Sequence, residues 1–220
     1  MRIAVVGAGH IGGNIARRLA LAGHEITVSF ARDPGKLSSL AAEIGASVAT
    51  PREAVAGAEV VVLSVPWSAL PAALDQAGSL SAKIVVDTTN QFGAGPKPAE
   101  GQTAAAFNGS RMPGARYTKS FNTLTSRFQA MTADRPASER VVQWLCGDDA
   151  DAKTIVAGLI EQAGYQPVDL GGVDDCAVME APRRTGAVYG EEYRLADATE
   201  VVAAVKAGRP IPDTPAYPET

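Results

Sequence analysis

Short, uniformly apolar runs alternate along this chain with segments whose apolar residues recur every three or four positions. Residues 3–6 (IAVV), closed by Gly7, form one such run. A strand with one wet face would alternate apolar with polar, so an unbroken run predicts a strand buried on both faces. From Ile11 onward, Ile11, Ile15, Leu19 and Ala22 fall on one helical face, with Arg17 and Arg18 between them and Gly23 as the stop. Residues 25–30 make a second β-rich run, Asp33-Pro34-Gly35 supplies a turn, and 36–44 reads as a helix. The alternation continues with a strand at 47–49, a helix at 53–57, a strand at 60–65, a helix at 68–78, and strands at 84–87 and 117–122. Six strands interleaved with helices predict an α/β fold, a doubly wound parallel sheet covered on both faces.

Between the fifth and sixth strands, residues 91–115 are rich in Gly, Pro and small side chains and predict a long loop with one helical turn near 104–107. Loops of this length are often functional. After Thr125 the chain offers a strand at 141–145, a helix at 151–163, a strand at 166–170 and further helical stretches, which predict a small C-terminal α/β lobe. The last segment, 209–220, carries four prolines and reads as an extended, peripheral tail.

Composition narrows the classes. With 220 residues, 46% hydrophobic and 20% charged, the chain can bury a continuous core. A formal charge of −4 gives no basic field for nucleic acid or an anionic membrane surface. The longest apolar runs, such as 60–65, are strand-sized and far short of the roughly 20 residues that span a bilayer. The first residues enter a strand directly with no export signal in view, so a cytoplasmic location is expected. Cys146 and Cys176 show no CxxC spacing and no histidine cluster accompanies them, so neither a zinc site nor a disulfide framework is expected.

Chemistry enters at Gly7-Ala8-Gly9-His10-Ile11-Gly12, a G-x-G-x-x-G run that follows a strand and opens a helix. In that context Gly7 permits the turn, Gly9 lets the backbone approach a pyrophosphate, and Gly12 lets the helix press on the strand. The amides around His10 and Ile11 would meet the phosphates, where the helix dipole also favours negative charge. The plainer reading is a glycine turn without nucleotide. At the end of the second strand stands Ser29-Phe30-Ala31-Arg32-Asp33, without the carboxylate at the strand end that NAD sites usually place on the ribose. Arg32 can grip a 2′-phosphate and Lys36 can add charge, which favours NADP. The alternative makes Arg32 a surface residue and Asp33 a ribose ligand for NAD.

Ligands of open α/β sheets lie beyond the strand C-termini, which draws Ser64, Val65, Pro66 and Trp67 toward the nicotinamide. Trp67 serves equally well as a wall of that pocket or as the packed start of a helix. Asn90 after the fifth strand and Phe121, Asn122 and Thr123 after the sixth ring the same crevice, although Asn and Thr also cap helices and turns. His10 and His24 read as structural, and no Tyr-x-x-x-Lys segment or metal-ligand set is present to polarise a carbonyl. No acid or base is assigned. Hydride exchange between two ring cofactors asks only for parallel stacking with water excluded.

Together the glycine start, VVLSVPWSAL, VVDTTNQF and SFNTL resemble the NADP-dependent coenzyme F420 reductase family along nearly all of the chain. The resemblance implies a Rossmann fold, with 1–125 as the NADP-binding domain, 126–208 as an acceptor and dimerisation lobe, and 209–220 as tail. It implies phosphates on Gly7 to Gly12, the 2′-phosphate on Arg32, and the nicotinamide between Ser64 to Pro66 and Phe121-Asn122-Thr123. It also implies hydride transfer between NADPH and F420, a small-molecule carrier, without a metal and in a homodimer. Two features depart from the pattern: Ala31 stands where the family often has serine, and 180–195, with Arg183-Arg184, follows no assignable pattern. The acceptor therefore stays open between F420, a flavin and a quinone. Imine reductases and hydroxyacid dehydrogenases open similarly but append a helical domain of about a hundred residues or more, for which this chain has no room. A non-catalytic NADP sensor is the reading from a different class.

Overall fold

The structure, a computed structural model, describes residues 1–30 and 34–217. Its strands are β1 (Arg2–Val6), β2 (Glu25–Ser29), β3 (Ser47–Val48), β4 (Val60–Leu63), β5 (Ile84–Asp87), β6 (Arg116–Ser120), β7 (Val142–Gly147) and β8 (Gln166–Gly171). The helices are α1 (His10–Leu21), α2 (Pro34–Ile44), α3 (Pro51–Gly57), α4 (Leu70–Ala77), α5 (Ala104–Ser110), α6 (Ser126–Thr132), α7 (Ala150–Gln162) and α8 (Leu195–Lys206). All strands join one sheet in the order β3-β2-β1-β4-β5-β6-β7-β8. Pairing is parallel from β3 to β6, antiparallel between β6 and β7, and parallel again between β7 and β8. The residues after 125 thus extend the first sheet, and β7 reverses its direction.

Each apolar strand feeds two cores because successive side chains point to opposite faces. Ala4, Val6, Val61, Leu63 and Val85 pack on one side against α3, α4 and α8. Ile3, Val5, Val60, Val62 and Val86 pack on the other against α1, α2 and α7. This double burial is why the strands read as unbroken apolar runs. The chain leaves β1 toward β2 and β3 and returns to β4 on the other side of β1, so the order reverses between β1 and β4. A crevice opens there beyond the C-terminal strand ends.

One sequence expectation is overturned. Cys146 of β7 and Cys176 of the 3₁₀ segment Val173–Met179 form a disulfide, with Cα atoms 6.1 Å apart. The segment returns across β7 after 30 residues, a separation that carries no spacing signal. Among the described residues no helix is long and apolar enough to cross a membrane.

Candidate functional site

The three glycines of the loop differ in what they need. Gly7 has φ +103°, and a Cβ there would lie 2.3 Å from the Ser64 carbonyl oxygen, so the end of β1 is pressed onto the end of β4. A Cβ on Gly12 would lie 2.1 Å from the Gly7 oxygen, so α1 is pressed onto β1. Gly9 has φ −76° and ψ −156°, open to any residue, and a Cβ there meets nothing within 4 Å. Nothing among the described residues requires glycine at position 9.

Gly9 also caps α1. No side chain caps this helix and its first turn holds no acidic residue. The first intrahelical bond runs from Gly13 N to Gly9 O at 2.8 Å, so the amides of His10, Ile11 and Gly12 precede it and lack helical acceptors. The exposed space over Gly9 and these amides suit a diphosphate in charge and shape. The residues present therefore fit a dinucleotide. The side chains of His10 and Ile11 do not carry this fit: His10 is exposed and Ile11 packs on the core.

At the end of β2, Ser29 donates to Ala49 O at 2.8 Å and Phe30 takes φ +55°. Ala31, Arg32 and Asp33 lie outside the described residues, while Lys36 is exposed in the first turn of α2. At the end of β4, Ser64 is half-buried, Val65 buried and Pro66 exposed. Trp67 is 2% exposed, stacks on Phe107 at 6.0 Å and donates its indole N–H to Pro96 O at 2.8 Å. Its ring is sealed under the 91–103 loop, so the packing role is the one it fills.

The ends of β5 and β6 hold the densest polar cluster. Asn90 donates to Asn122 O at 2.7 Å, and Asn122 donates to Asn90 Oδ1 at 3.1 Å and to Met179 O at 2.7 Å. Phe121 has φ +58°, a strained conformation for an aromatic residue that the surrounding contacts must enforce. Ser120 Oγ, Asn122 Oδ1 and Thr123 Oγ1 are buried without a hydrogen-bond partner among the described residues. Each such atom costs about 1–3 kcal/mol. Three in one short segment at a crevice suit the polar edge of a bound ligand.

Sequence reasoning missed what lies beneath and beside this cluster. Asp87 and Lys119 are register partners on β5 and β6, both side chains 0% exposed, with Nζ 3.8 Å from Oδ2. Asp87 also accepts from Tyr117 OH at 2.6 Å, Asn108 Nδ2 at 2.8 Å and Thr89 N at 2.7 Å, while Lys119 donates to Thr89 O at 2.6 Å. Burial, then the Asp87 charge, push the Tyr117 hydroxyl well above its ordinary pKa, so it stays a donor. The signal for this pair was an Asp closing the apolar run of β5 (IVVD) and a Lys in β6 (RYTKS), a polar sequence that is nonetheless buried. The segment 180–195, unassignable from its pattern, walls the crevice. Ala181 N donates to Asn90 Oδ1 at 3.4 Å and Gly190 N to Thr123 O at 2.8 Å. Glu180 ties that wall to the long loop by accepting from Ala104 N and Ala105 N at 2.8 and 2.7 Å.

Residues 2–91, which hold the glycine loop, the β4 end and Asn90, match the family model described as NADP oxidoreductase coenzyme F420-dependent. A solved protein from Arthrobacter sp. FB24, assigned as an F420-dependent NADP reductase, is 31% identical with TM-score 0.66, over 79% of this chain and 86% of its own. The chain belongs to the F420-dependent NADP oxidoreductase family. As a member of the F420-dependent family it is a Rossmann-fold, NADP-dependent oxidoreductase. The hypothetical protein SMa0349 of Sinorhizobium meliloti is 28% identical with TM-score 0.76, over 88% of this chain and 95% of its own. The metalloreductase STEAP3 of Rattus norvegicus is 28% identical over 187 residues, 82% of this chain. This family member spans only 36% of the length of that curated relative.

Proposed function

We propose that the chain passes a hydride between NADPH and the deazaflavin carrier F420. The observation that carries this reading is the chemistry of the strand ends: Asp87 and Lys119, the charged side chains at the C-terminal ends of β5 and β6, are paired beneath the crevice at 0% exposure. What remains at the strand ends are amides and hydroxyls, from Ser64, Asn90, Ser120, Asn122 and Thr123. Such groups orient a ring without trading protons with a carbonyl substrate. NADPH held there would supply a hydride with its electron pair to the carrier ring, and solvent would supply the accompanying proton. The chain's part is to hold the diphosphate on the amides of His10, Ile11 and Gly12. Asn122 and Thr123, whose Oδ1 and Oγ1 are buried without partners among the described residues, would hold the nicotinamide end. The F420 dependence that names this family and its Arthrobacter relative supports F420 as the partner.

The test is to mix NADPH with F420, FMN, FAD and quinones and follow absorbance at the nicotinamide band. Oxidation with F420 is expected. Oxidation with a flavin or quinone alone would replace F420 by that acceptor, and no oxidation with any would leave a nucleotide sensor. The NADP preference is assigned to Arg32 on its place in the sequence. Arg32→Ala is expected to weaken NADPH by about 1.5–3 kcal/mol, the scale of a charged hydrogen bond, and to leave NADH nearly unchanged. Equal losses for both nucleotides, measured by calorimetry, would remove that assignment.

A further inference from the structure

Two aromatic side chains stand beside the ends of β5 and β6, each on one of the segments that wall the crevice. Phe92 follows Asn90 closely, with Phe92 N donating to Asn90 O at 2.8 Å. Tyr189 precedes Gly190, whose amide is bonded to Thr123 O. Their ring centroids lie 6.2 Å apart at 60°, an edge-to-face contact. Phe92 is nevertheless 56% exposed. A single exposed apolar residue is ordinary. Here two rings from distant parts of the chain meet, and both are tied by backbone bonds to Asn90 and Thr123, the residues placed around the nicotinamide.

We infer that Phe92 and Tyr189 form a stacking platform for the outer ring of a planar, fused-ring electron carrier. The inference rests on the reading that a ring carrier takes the hydride. Hydride transfer needs the reacting carbons about 3–3.5 Å apart, so the carrier must lie flat against the nicotinamide. A tricyclic carrier is wider than a nicotinamide, and its excess width overhangs the ends of β5 and β6, where the pair stands. Phe92, 56% exposed, is open to receive it, and the contact with Tyr189 holds the ring in place. A small imine or ketone would be too short to reach the pair, so the platform selects for fused rings.

The test is a fluorescence titration of oxidised F420, and separately of FMN, into the full chain loaded with NADP. Wild type is expected to bind and quench at least one of them. Phe92→Ala combined with Tyr189→Leu is expected to weaken that binding about tenfold, the sum of two lost ring contacts, while the affinity for NADP stays within about twofold. Phe92→Tyr, which restores a ring at an exposed position, is expected to bind as wild type does. Unchanged carrier affinity in the double variant would overturn the platform while leaving hydride transfer to F420 standing. Binding that depends on the pair, without oxidation of NADPH, would keep the platform and overturn the proposed transfer. Wild type that binds neither carrier would overturn the platform.

Discussion

Gly9→Val is expected to abolish pyridine nucleotide binding and leave the protein folded. The backbone at Gly9, with φ −76° and ψ −156°, accepts a side chain, and the space above it holds no atom of the chain within 4 Å. A Cβ there therefore finds room in the free protein, and the valine side chain would occupy the place of the diphosphate. Losing two charge-assisted hydrogen bonds at about 1.5–3 kcal/mol each predicts a fall in NADPH affinity of at least about 100-fold. Gly12→Val makes the contrast, because its Cβ would lie 2.1 Å from Gly7 O and must displace α1 from β1. That variant is expected to lose stability as well as nucleotide. Calorimetry and thermal unfolding of the two variants separate these cases, and a Gly9→Val protein whose NADPH affinity stays within tenfold of wild type would refute the placement of the diphosphate.

The largest loss of stability is expected from Asp87→Ala. The substitution removes the countercharge of a fully buried ammonium, leaves the donors of Tyr117 and Thr89 without an acceptor, and leaves Asn108 only its bond to Thr89 Oγ1 at 3.2 Å. Breaking one side of such a pair costs about 3–5 kcal/mol, on the order of 10 °C in Tm for a chain of this size. Lys119→Met added to Asp87→Ala should recover part of the loss, since removing both charges avoids an uncompensated one. Denaturant unfolding checks this. A single variant that loses less than about 1 kcal/mol would show that the ammonium is stabilised by Thr89 O alone.

These two cases also show what a sequence can and cannot display. Strands such as β1 and β4 were legible because burial on both faces favours an unbroken apolar run, as in 60–63, where every residue is buried. The glycine loop was legible because it follows a strand and opens a helix, a context that few other uses of glycine share. The role of 180–195 was not legible, because it is exerted largely through main-chain groups such as Gly190 N on Thr123 O, which leave no residue pattern. Strand direction is equally silent in a pattern of apolar residues, so β7 could be foreseen but not its reversal. Trp67 suited either of two roles until the fold of 91–103 placed Pro96 and Phe107 over it. The Cys146–Cys176 bond depends on a return path that their separation does not reveal.

The reversal at β7 has a consequence for anyone wishing to re-engineer the protein. Since Thr118, Lys119 and Ser120 pair directly with Gly147, Cys146 and Leu145, no seam divides the nucleotide-holding strands from those that follow. Splicing a relative's C-terminal portion onto this chain after residue 125 would ask a foreign strand to complete a ladder in the middle of the sheet. Grafts confined to 91–103 and 180–195 leave that ladder whole.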